Sequence, residues 1–509
     1  MTHTSQKEVK SALISLFHKK PARNLIQKLA EAGVRLYSTG GTLKYIQEMG
    51  YDALAVEDIT QYPSVFGGRV KTLHPKIFGG ILHRRDVPED LQEMESFRIP
   101  SIDMVVVDLY PFEATVSSGA SQEEIIEKID IGGVSLIRAA AKNFKDTWIV
   151  PSAQWFDKAT QIIEQQGVKT SFQQRKEFAA EAFNISSHYD TAIYSYMAQG
   201  EEQACKISIP QANSLRYGEN PHQKGIFYGN VQEVFSQLHG KALSYNNLLD
   251  IHGAVSLISE FDDCTFAIIK HTNACGVASR STIQQAYQTA LASDPVSAFG
   301  GILIANRNID RDTAYDINKL FFEVILAPGF DKEALQLLQQ KEKRIILQLN
   351  NLHQPAWQYR SALNGILAQS VDNAQTPADK WTPATLNTPN SKQEQDLLFA
   401  NKIVKHTKSN AIVLAKEQQL LAAGTGQTSR VDALKQAISK AKEFGHNLEG
   451  AVMASDAFFP FPDSVEIAGK EGINSVIQPG GSVRDQQSID FCNNHNITMV
   501  MTGIRHFKH

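Results

Sequence analysis

Between residues 10 and 150 the chain alternates short apolar runs of β type with amphipathic helical stretches, and this rhythm constrains the fold more than any other feature. The runs are Ala12–Phe17, Val34–Thr39, Ala53–Val56, Ile102–Leu109 and Thr147–Val150. Helical segments such as Ala22–Ala32 and Leu43–Met49 fall between them. The run Ile102-Asp103-Met104-Val105-Val106-Val107-Asp108-Leu109 is rich in β-branched residues, as a strand buried on both faces requires. Strands and helices in strict alternation predict an α/β fold, a parallel sheet with helices on both faces. Residues 171 to 198 then read as one continuous helix.

A chain of 509 residues is long for one core; at roughly 150 residues per domain it holds two to four. Hydrophobic residues make up 42% and charged residues 20%, enough apolar material for large cores. A net charge of -4 argues against nucleic-acid or anionic-membrane binding, and leaves room for a local basic pocket. The apolar run after the polar N-terminus is too short for a signal peptide, and no window reaches the roughly 18 apolar residues of a membrane span. The cysteines, Cys205, Cys264, Cys275 and Cys492, form no Cys-x-x-Cys pair, which predicts reduced thiols and a cytoplasmic setting.

The polar stretch at 198 to 213, containing Gly200-Glu201-Glu202 and Ile209-Pro210, predicts a boundary, giving domains 1–198 and 199–509. Within the second, Ile268-Ile269-Lys270-His271-Thr272-Asn273 is echoed 135 positions later by Ile403-Val404-Lys405-His406-Thr407-Lys408. The echo suggests two related α/β lobes, about 199–370 and 390–509. Residues 370 to 394, rich in Pro, Thr, Asn and Gln, read as the connector between them.

In the first domain Tyr37-Ser38-Thr39-Gly40-Gly41-Thr42 sits where a strand ends and a helix begins. Glycines there let backbone N–H groups approach an anion; an ordinary capped turn has the same composition. Gly67-Gly68-Arg69-Val70-Lys71-Thr72-Leu73-His74-Pro75 concentrates cations and a hydroxyl, with Arg69 and Lys71 on one face if extended. Tyr110 follows the strand Ile102–Leu109, at the carboxyl edge where ligands of open α/β sheets bind. Asp130, ahead of Gly132-Gly133, is a helix cap or a ligand, and Lys142 a helix-end cation or a site residue.

Together the strings Ser-Thr-Gly-Gly-Thr, Gly-Gly-Arg-Val-Lys-Thr-Leu-His-Pro, Leu-Tyr-Pro-Phe, Ile-Asp-Ile-Gly-Gly and Ala-Ala-Ala-Lys-Asn resemble, in order, the inosine monophosphate (IMP) cyclohydrolase domain, which has a methylglyoxal-synthase-like fold. The resemblance implies phosphate binding by Ser38, Gly40, Gly41 and Thr42, with Arg69 and Thr72 nearby. It implies that Lys71, Tyr110, Asp130 and Lys142 line a ring-closure site.

The second domain opens on Leu215-Arg216-Tyr217-Gly218-Glu219-Asn220-Pro221-His222-Gln223, where Arg216 offers a bidentate fork for phosphate. Ser244-Tyr245-Asn246-Asn247 precedes an amphipathic helix. Lys270-His271 ends a buried strand, and the lysine charge favours the neutral imidazole that a base requires. Ser297-Ala298-Phe299-Gly300-Gly301 and Ser455-Asp456-Ala457-Phe458-Phe459-Pro460-Phe461-Pro462-Asp463 supply aromatic groups that either pack in the core or stack against a pterin-like ring.

These strings, with Lys-Ser-Asn-Ala-Ile, Gln-Pro-Gly-Gly-Ser and the terminal Arg-His-Phe-Lys-His, resemble the aminoimidazole-carboxamide ribonucleotide (AICAR) transformylase domain, built of two cytidine-deaminase-like lobes. The two resemblances span nearly the whole chain in the order of the bifunctional purine-biosynthesis enzymes. They imply that Arg216, Tyr217, Lys270, His271, Gly300, Glu323, Asn410, Arg505 and Phe507 contact the nucleotide, with Lys270, His271 and Asn410 catalytic. Phe299, Asp456, Phe458 and Phe459 then face the co-substrate, 10-formyltetrahydrofolate. The resemblance further implies a homodimer and no catalytic metal; the deaminase zinc signature is absent. This chain departs from the family at Ala274, where proline is usual, and at Pro462, where arginine is common. The first loosens a turn, and the second removes a cation from the folate side. A nucleotide-sensing effector module is the rival, since methylglyoxal-synthase-like domains also serve in that role.

Overall fold

The computed structural model describes residues 6–200, 204–350 and 355–509. Its backbone separates into two compact units, Met1–Pro210 and Gln211–His509. Glu201 and Glu202 of the expected boundary, and the first five residues, lie outside the described residues.

The first unit is built on a five-stranded sheet. Its strands are β1 (Ser11–Leu16), β2 (Arg35–Ser38), β3 (Leu54–Ala55), β4 (Met104–Asp108) and β5 (Trp148–Val150), in the order β3-β2-β1-β4-β5. Every pairing is parallel, so all carboxyl ends reach one edge. Met104 to Val107 are all buried, which explains the unbroken β-branched run. Helix α1 (Arg23–Glu31) buries Leu25, Ile26 and Leu29. Helix α2 (Gly40–Glu48) starts two residues after β2, and α3 (Gly132–Lys142) lies between β4 and β5 in the chain. Helix α4 (Phe172–Ala198) is the continuous helix the sequence predicts, opened by a capping box from Ser171 and Gln174.

The second unit holds a twelve-stranded sheet. Its first half contains β6 (Phe235–His239), β7 (Thr265–Lys270), β8 (Asn273–Ser279), β9 (Ile302–Ala305), β10 (Val324–Ala327) and β11 (Ile345–Leu349). The second half contains β12 (Thr382–Pro383), β13 (Ile412–Lys416), β14 (Gln419–Gly424), β15 (Val452–Ser455), β16 (Ser475–Gln478) and β17 (Thr498–Met501). The order is β6-β11-β10-β9-β7-β8-β14-β13-β15-β16-β17-β12. Each half runs an antiparallel hairpin (β7-β8; β13-β14), an antiparallel neighbour (β9; β15) and two parallel additions (β10, β11; β16, β17). A helix precedes each hairpin: α5 (Tyr245–Ile258) and α6 (Ser391–Lys405). The halves join where Ala278 of β8 pairs antiparallel with Gln419 of β14.

This internal repeat corrects the sequence echo. Ile268-Ile269-Lys270 lies in strand β7, whereas Ile403-Val404-Lys405 ends helix α6. The structural counterpart of β7 is β13, since Lys270 and Asn273 close one hairpin as Lys416 and Gln419 close the other, each with a bulge two residues before the tip. Buried apolar pairs suit strand and helix equally, so six matching residues carried no register. The connector is ordered as well. Its residues Thr382–Pro383 form the edge strand against β17, and Asn390 caps α6.

Candidate functional sites

In the first unit the loops at the carboxyl edge converge. Thr39 precedes α2 with extended backbone and no side-chain cap, leaving the amides of Gly40 and Gly41 as donors at a helix N-terminus. The Lys71 ammonium sits 3.4 Å from where a Cβ on Gly40 would stand and 2.7 Å from one on Gly68. Both glycines have positive φ, 47° and 94°. A side chain at either would be strained, and at Gly68 it would evict the lysine. Lys19 approaches Gly41 in the same way, its Cε 3.3 Å from a Cβ there. Two ammonium groups and a helix start thus face one small volume, a setting for a phosphate.

Beside it stands Tyr110. Its ring meets Phe17 edge-on at 5.4 Å, and the Lys128 ammonium lies over both rings at 5.4 and 5.6 Å. Burial, then Asp130 and Glu127, raise the Tyr110 phenol above its ordinary value, so it holds its proton at neutral pH. Asp130 accepts the Gly133 amide at 2.7 Å and thereby caps α3, and burial raises its carboxyl. The Tyr189 hydroxyl accepts the Asp130 amide at 2.9 Å. Thr72 is buried with its hydroxyl 3.3 Å from a Cβ at Gly132, which brings the 67–75 loop to the start of α3.

Four expected residues stand differently. The Ser38 hydroxyl is buried and donates to the Ile14 carbonyl at 2.8 Å, and Thr42 exchanges hydrogen bonds with the backbone of Leu16 at 3.1 Å. Both tie β1 to the loop. Arg69 is exposed and ion-paired with Glu127. Lys142 is exposed at the far end of α3, about 15 Å along the helix from Gly132. Lys19, Lys128 and the His18–Asp108 contact (Nδ1 to Oδ2, 2.9 Å) were missed from sequence. The available signal was Lys19-Lys20 directly after the first strand, at the same edge as Tyr110.

In the second unit Lys270 and His271 occupy the tip of the β7-β8 hairpin. Lys270 pairs with Asn273, leaving His271 and Thr272 as a two-residue turn with φ of 52° and 63°. Such a turn favours Asn-Gly, and a β-branched residue there is strained. Long-range contacts hold it. Asp250 of α5 accepts the Thr272 amide at 2.7 Å, and Asn273 Nδ2 donates to the His271 carbonyl at 2.9 Å. Gly253 lets α5 approach, with a Cβ there only 3.2 Å from the Thr272 carbonyl. The Lys270 ammonium donates to the Phe299 carbonyl at 2.8 Å, which links the turn to the Gly300-Gly301 loop. Ala274 pairs with Ile269 beside a β-bulge rather than in the turn itself. A bulge accommodates proline or alanine.

Asn273 also accepts the Lys408 amide at 3.0 Å, so the loop carrying Asn410 lies against this turn. Arg430 Nη2 donates to Asn410 Oδ1 at 3.0 Å and to the buried Asp456 at 2.7 Å. His506 donates its amide to the Asp456 carbonyl at 3.0 Å, which places Arg505 and Phe507 beside the same group. The Arg505 guanidinium lies over the Phe507 ring at 4.4 Å. Glu323 accepts Asn247 Nδ2 at 3.1 Å, and Asn246 donates to the Glu219 carbonyl at 3.1 Å. The Arg216–Tyr217 loop is thus anchored on the start of α5.

Phe299 and Phe458 present aromatic surface, whereas Phe459 is fully buried among Met453, Val465 and Val476. Phe459 is core, and the expectation that it walls the folate is corrected. Its amide donates to Gln478, which turns the neighbouring Phe458 outward. Pro462 stands directly before the helix Asp463–Lys470. The Arg484 guanidinium lies 4.5 Å over the neighbouring Phe461 ring. Exposed rings beside a guanidinium fit the flat ring and anionic tail of a formyl folate. Among the described residues no group of three or more His, Cys, Asp or Glu is placed to hold a metal ion, and no helix is long and apolar enough to cross a membrane.

A parallel-sheet unit with two lysines and a helix start gathered at its carboxyl edge, followed by an α/β unit of two similar halves with a lysine–histidine turn, fits a nucleotide-handling enzyme of two parts. Residues 22–135 match the MGS-like domain model, and residues 140–440 match the AICARFT/IMPCHase bienzyme model. The bifunctional purine biosynthesis protein PurH of Bacteroides thetaiotaomicron is 59% identical over 99% of this chain and 100% of its own. The proteins of that name from Aquifex aeolicus and Caldicellulosiruptor bescii are 45% and 44% identical, each over 98% of this chain and 100% of their own. The chain belongs to the AICARFT/IMPCHase bienzyme family. It is a bifunctional enzyme of purine biosynthesis, an AICAR formyltransferase that uses 10-formyltetrahydrofolate and an IMP cyclohydrolase. The regulatory alternative finds no support in these relatives.

Proposed function

We propose that residues 1–198 carry ring closure and residues 199–509 formyl transfer, with the roles that follow. The observation carrying this division is the pairing of two separate constellations, each within one unit. They are Lys71, Tyr110 and Asp130 at the edge of the parallel sheet, and Lys270, His271 and Asn410 around the β7-β8 turn.

In formyl transfer the 5-amino group of the nucleotide attacks the formyl carbon, the bond from that carbon to the folate nitrogen breaks, and the amine loses a proton. The amine is conjugated with its ring and is a poor nucleophile, so orientation and proton removal supply the acceleration. His271 takes the proton, and one returns to the leaving folate nitrogen. Lys270 stabilises the developing oxyanion. Asn410, held by Arg430, orients the reacting groups. Arg216, Tyr217, Gly300, Glu323, Arg505 and Phe507 hold the nucleotide, and Phe299 and Phe458 the folate ring. Asp456 acts through Arg430.

In ring closure the carboxamide nitrogen attacks the new formyl carbon, and the formyl oxygen leaves as water. Tyr110, protonated at neutral pH, donates to that oxygen, and Lys71 polarises it. Asp130 fixes the carboxamide. Gly40, Gly41, Thr72 and Lys19 hold the phosphate, with Ser38 and Thr42 shaping the loop and Arg69 joining once it leaves Glu127. The place of Lys142 rests on the family motif alone. The enzyme works as a cytoplasmic homodimer without nucleic acid. The exposed apolar residues of the hairpin Trp357–Ala362 and Gly365–Ser370 offer surface for a second copy.

Separation by mutation tests the division. His271→Ala lowers formyl transfer by about 100- to 10,000-fold and leaves cyclisation intact, and Lys71→Ala does the reverse. Equal loss of both activities in a folded His271 variant rules the two-site assignment out.

A further inference from the structure

Lys405-His406-Thr407 repeats the letters of the catalytic turn, yet it stands at the end of a helix and takes no part in the chemistry above. Its lysine and histidine are nonetheless drawn into the interior and share one carboxylate. The Lys405 ammonium, 7% exposed, donates to Glu260 Oε1 at 2.8 Å and to the Ala374 carbonyl at 3.1 Å. His406 Nε2 meets the same Glu260 oxygen at 2.9 Å. A carboxylate only accepts, so Nε2 carries the proton. Burial pushes the Glu260 carboxyl up, but the hydrogen bonds from His406 and Lys405 outweigh it and hold it below its ordinary value. Burial lowers His406, which favours the neutral ring.

What these groups hold is the machinery of formyl transfer. Glu260 lies just past the end of α5, the helix whose Asp250 fastens the His271 turn. The His406 carbonyl accepts the Lys508 ammonium at 3.2 Å. Lys508 and Ser409 are doubly bonded, the Ser409 amide to the Lys508 carbonyl at 2.9 Å and the Lys508 amide to the Ser409 hydroxyl at 3.0 Å. Ser409 precedes Asn410, and Lys508 follows Phe507. A buried ion pair adds little net stability over an apolar replacement, and fixing one arrangement is its better-supported use.

We propose that Glu260, Lys405 and His406 are positioning residues, a buried latch that sets Asn410, Arg505 and Phe507 in the geometry formyl transfer needs. The proposal rests on the assignment of those three residues to the nucleotide site. Its test uses the full chain with four variants: Glu260→Gln, His406→Leu, His406→Gln and a deletion of residues 505–509. Glu260→Gln and His406→Leu should lower kcat for formyl transfer by about 10- to 100-fold and raise KM for the nucleotide. Cyclisation should stay within about twofold of the parent. Amide exchange at His506 and Lys508 should quicken while that of β13 to β16 does not. His406→Gln keeps an N–H donor toward Glu260 and should recover most of the rate. If Glu260→Gln fails to fold, the two His406 variants decide, since both keep the Glu260–Lys405 pair. Normal formyl transfer in His406→Leu, with the deletion inactive, overturns the latch and leaves the tail assignment standing. Normal formyl transfer in the deletion overturns the tail assignment and the latch with it.

Discussion

The most direct probe of the formyl-transfer site is a residue that touches no substrate, Asp250. His271 and Thr272 both have positive φ, and for non-glycine residues the left-handed region costs about 1–2 kcal/mol each. The turn therefore stores a few kcal/mol that its fastenings must offset. The strongest fastening is the Thr272 amide on the Asp250 carboxylate at 2.7 Å. A hydrogen bond to a charged partner contributes about 1.5–3 kcal/mol. Asp250→Ala removes it, and the turn should relax in most molecules, taking the imidazole out of place. The competent population, and with it kcat for formyl transfer, should fall by about 10- to 100-fold. Asp250→Asn keeps an acceptor worth about 0.5–1.5 kcal/mol and should lose roughly fivefold. Absorbance assays of formyl transfer and of cyclisation on the same preparations separate this from general damage, because ring closure uses none of these residues. Near-parental formyl transfer in Asp250→Ala, or a larger loss in Asp250→Asn than in Asp250→Ala, would sink the account.

Three further outcomes are expected. A fragment of residues 1–198 should convert the formylated nucleotide to IMP without folate; a folded fragment inactive in that assay counts against the domain assignment. Tyr110→Phe should cut cyclisation about 100-fold or more and spare formyl transfer. Because the phenol is raised and acts protonated, the parental cyclisation rate should fall through its ionisation only above the ordinary tyrosine range, about pH 10. A fall below pH 9 that Tyr110→Phe abolishes contradicts the donor role. Arg484→Ala should raise KM for the formyl folate about two- to fivefold, the size of an exposed cation–π contact, and leave KM for the nucleotide unchanged; equal shifts in both would place Arg484 elsewhere.

How much of this was legible in the sequence depends on the range over which each contact acts. The strands of the first unit were readable as local apolar runs, most plainly at Met104 to Val107, where burial on both faces favours β-branched residues. The sequence only suggested two related lobes in the second unit, and the echo that suggested them joins segments that do not correspond. Ile403-Val404 and Ile268-Ile269 are both buried, one pair in a helix and one in a strand, and burial alone fixes composition. Phe458 and Phe459 show the same limit within one motif, since neighbouring aromatics say nothing of which ring faces the core. The fastenings of the site were not legible at all. Asp250 and Thr272 are 22 positions apart, and Lys405 and Glu260 are 145, and no local pattern announces either pair. The proposed site residues sit on a hairpin tip and near residue 509, and tips and ends are places where backbones ordinarily relax or fray. Their rigidity must come from side chains far away in sequence. On the proposed reading the short motifs mark where the chemistry is, and the distant carboxylates of Asp250 and Glu260 hold it there.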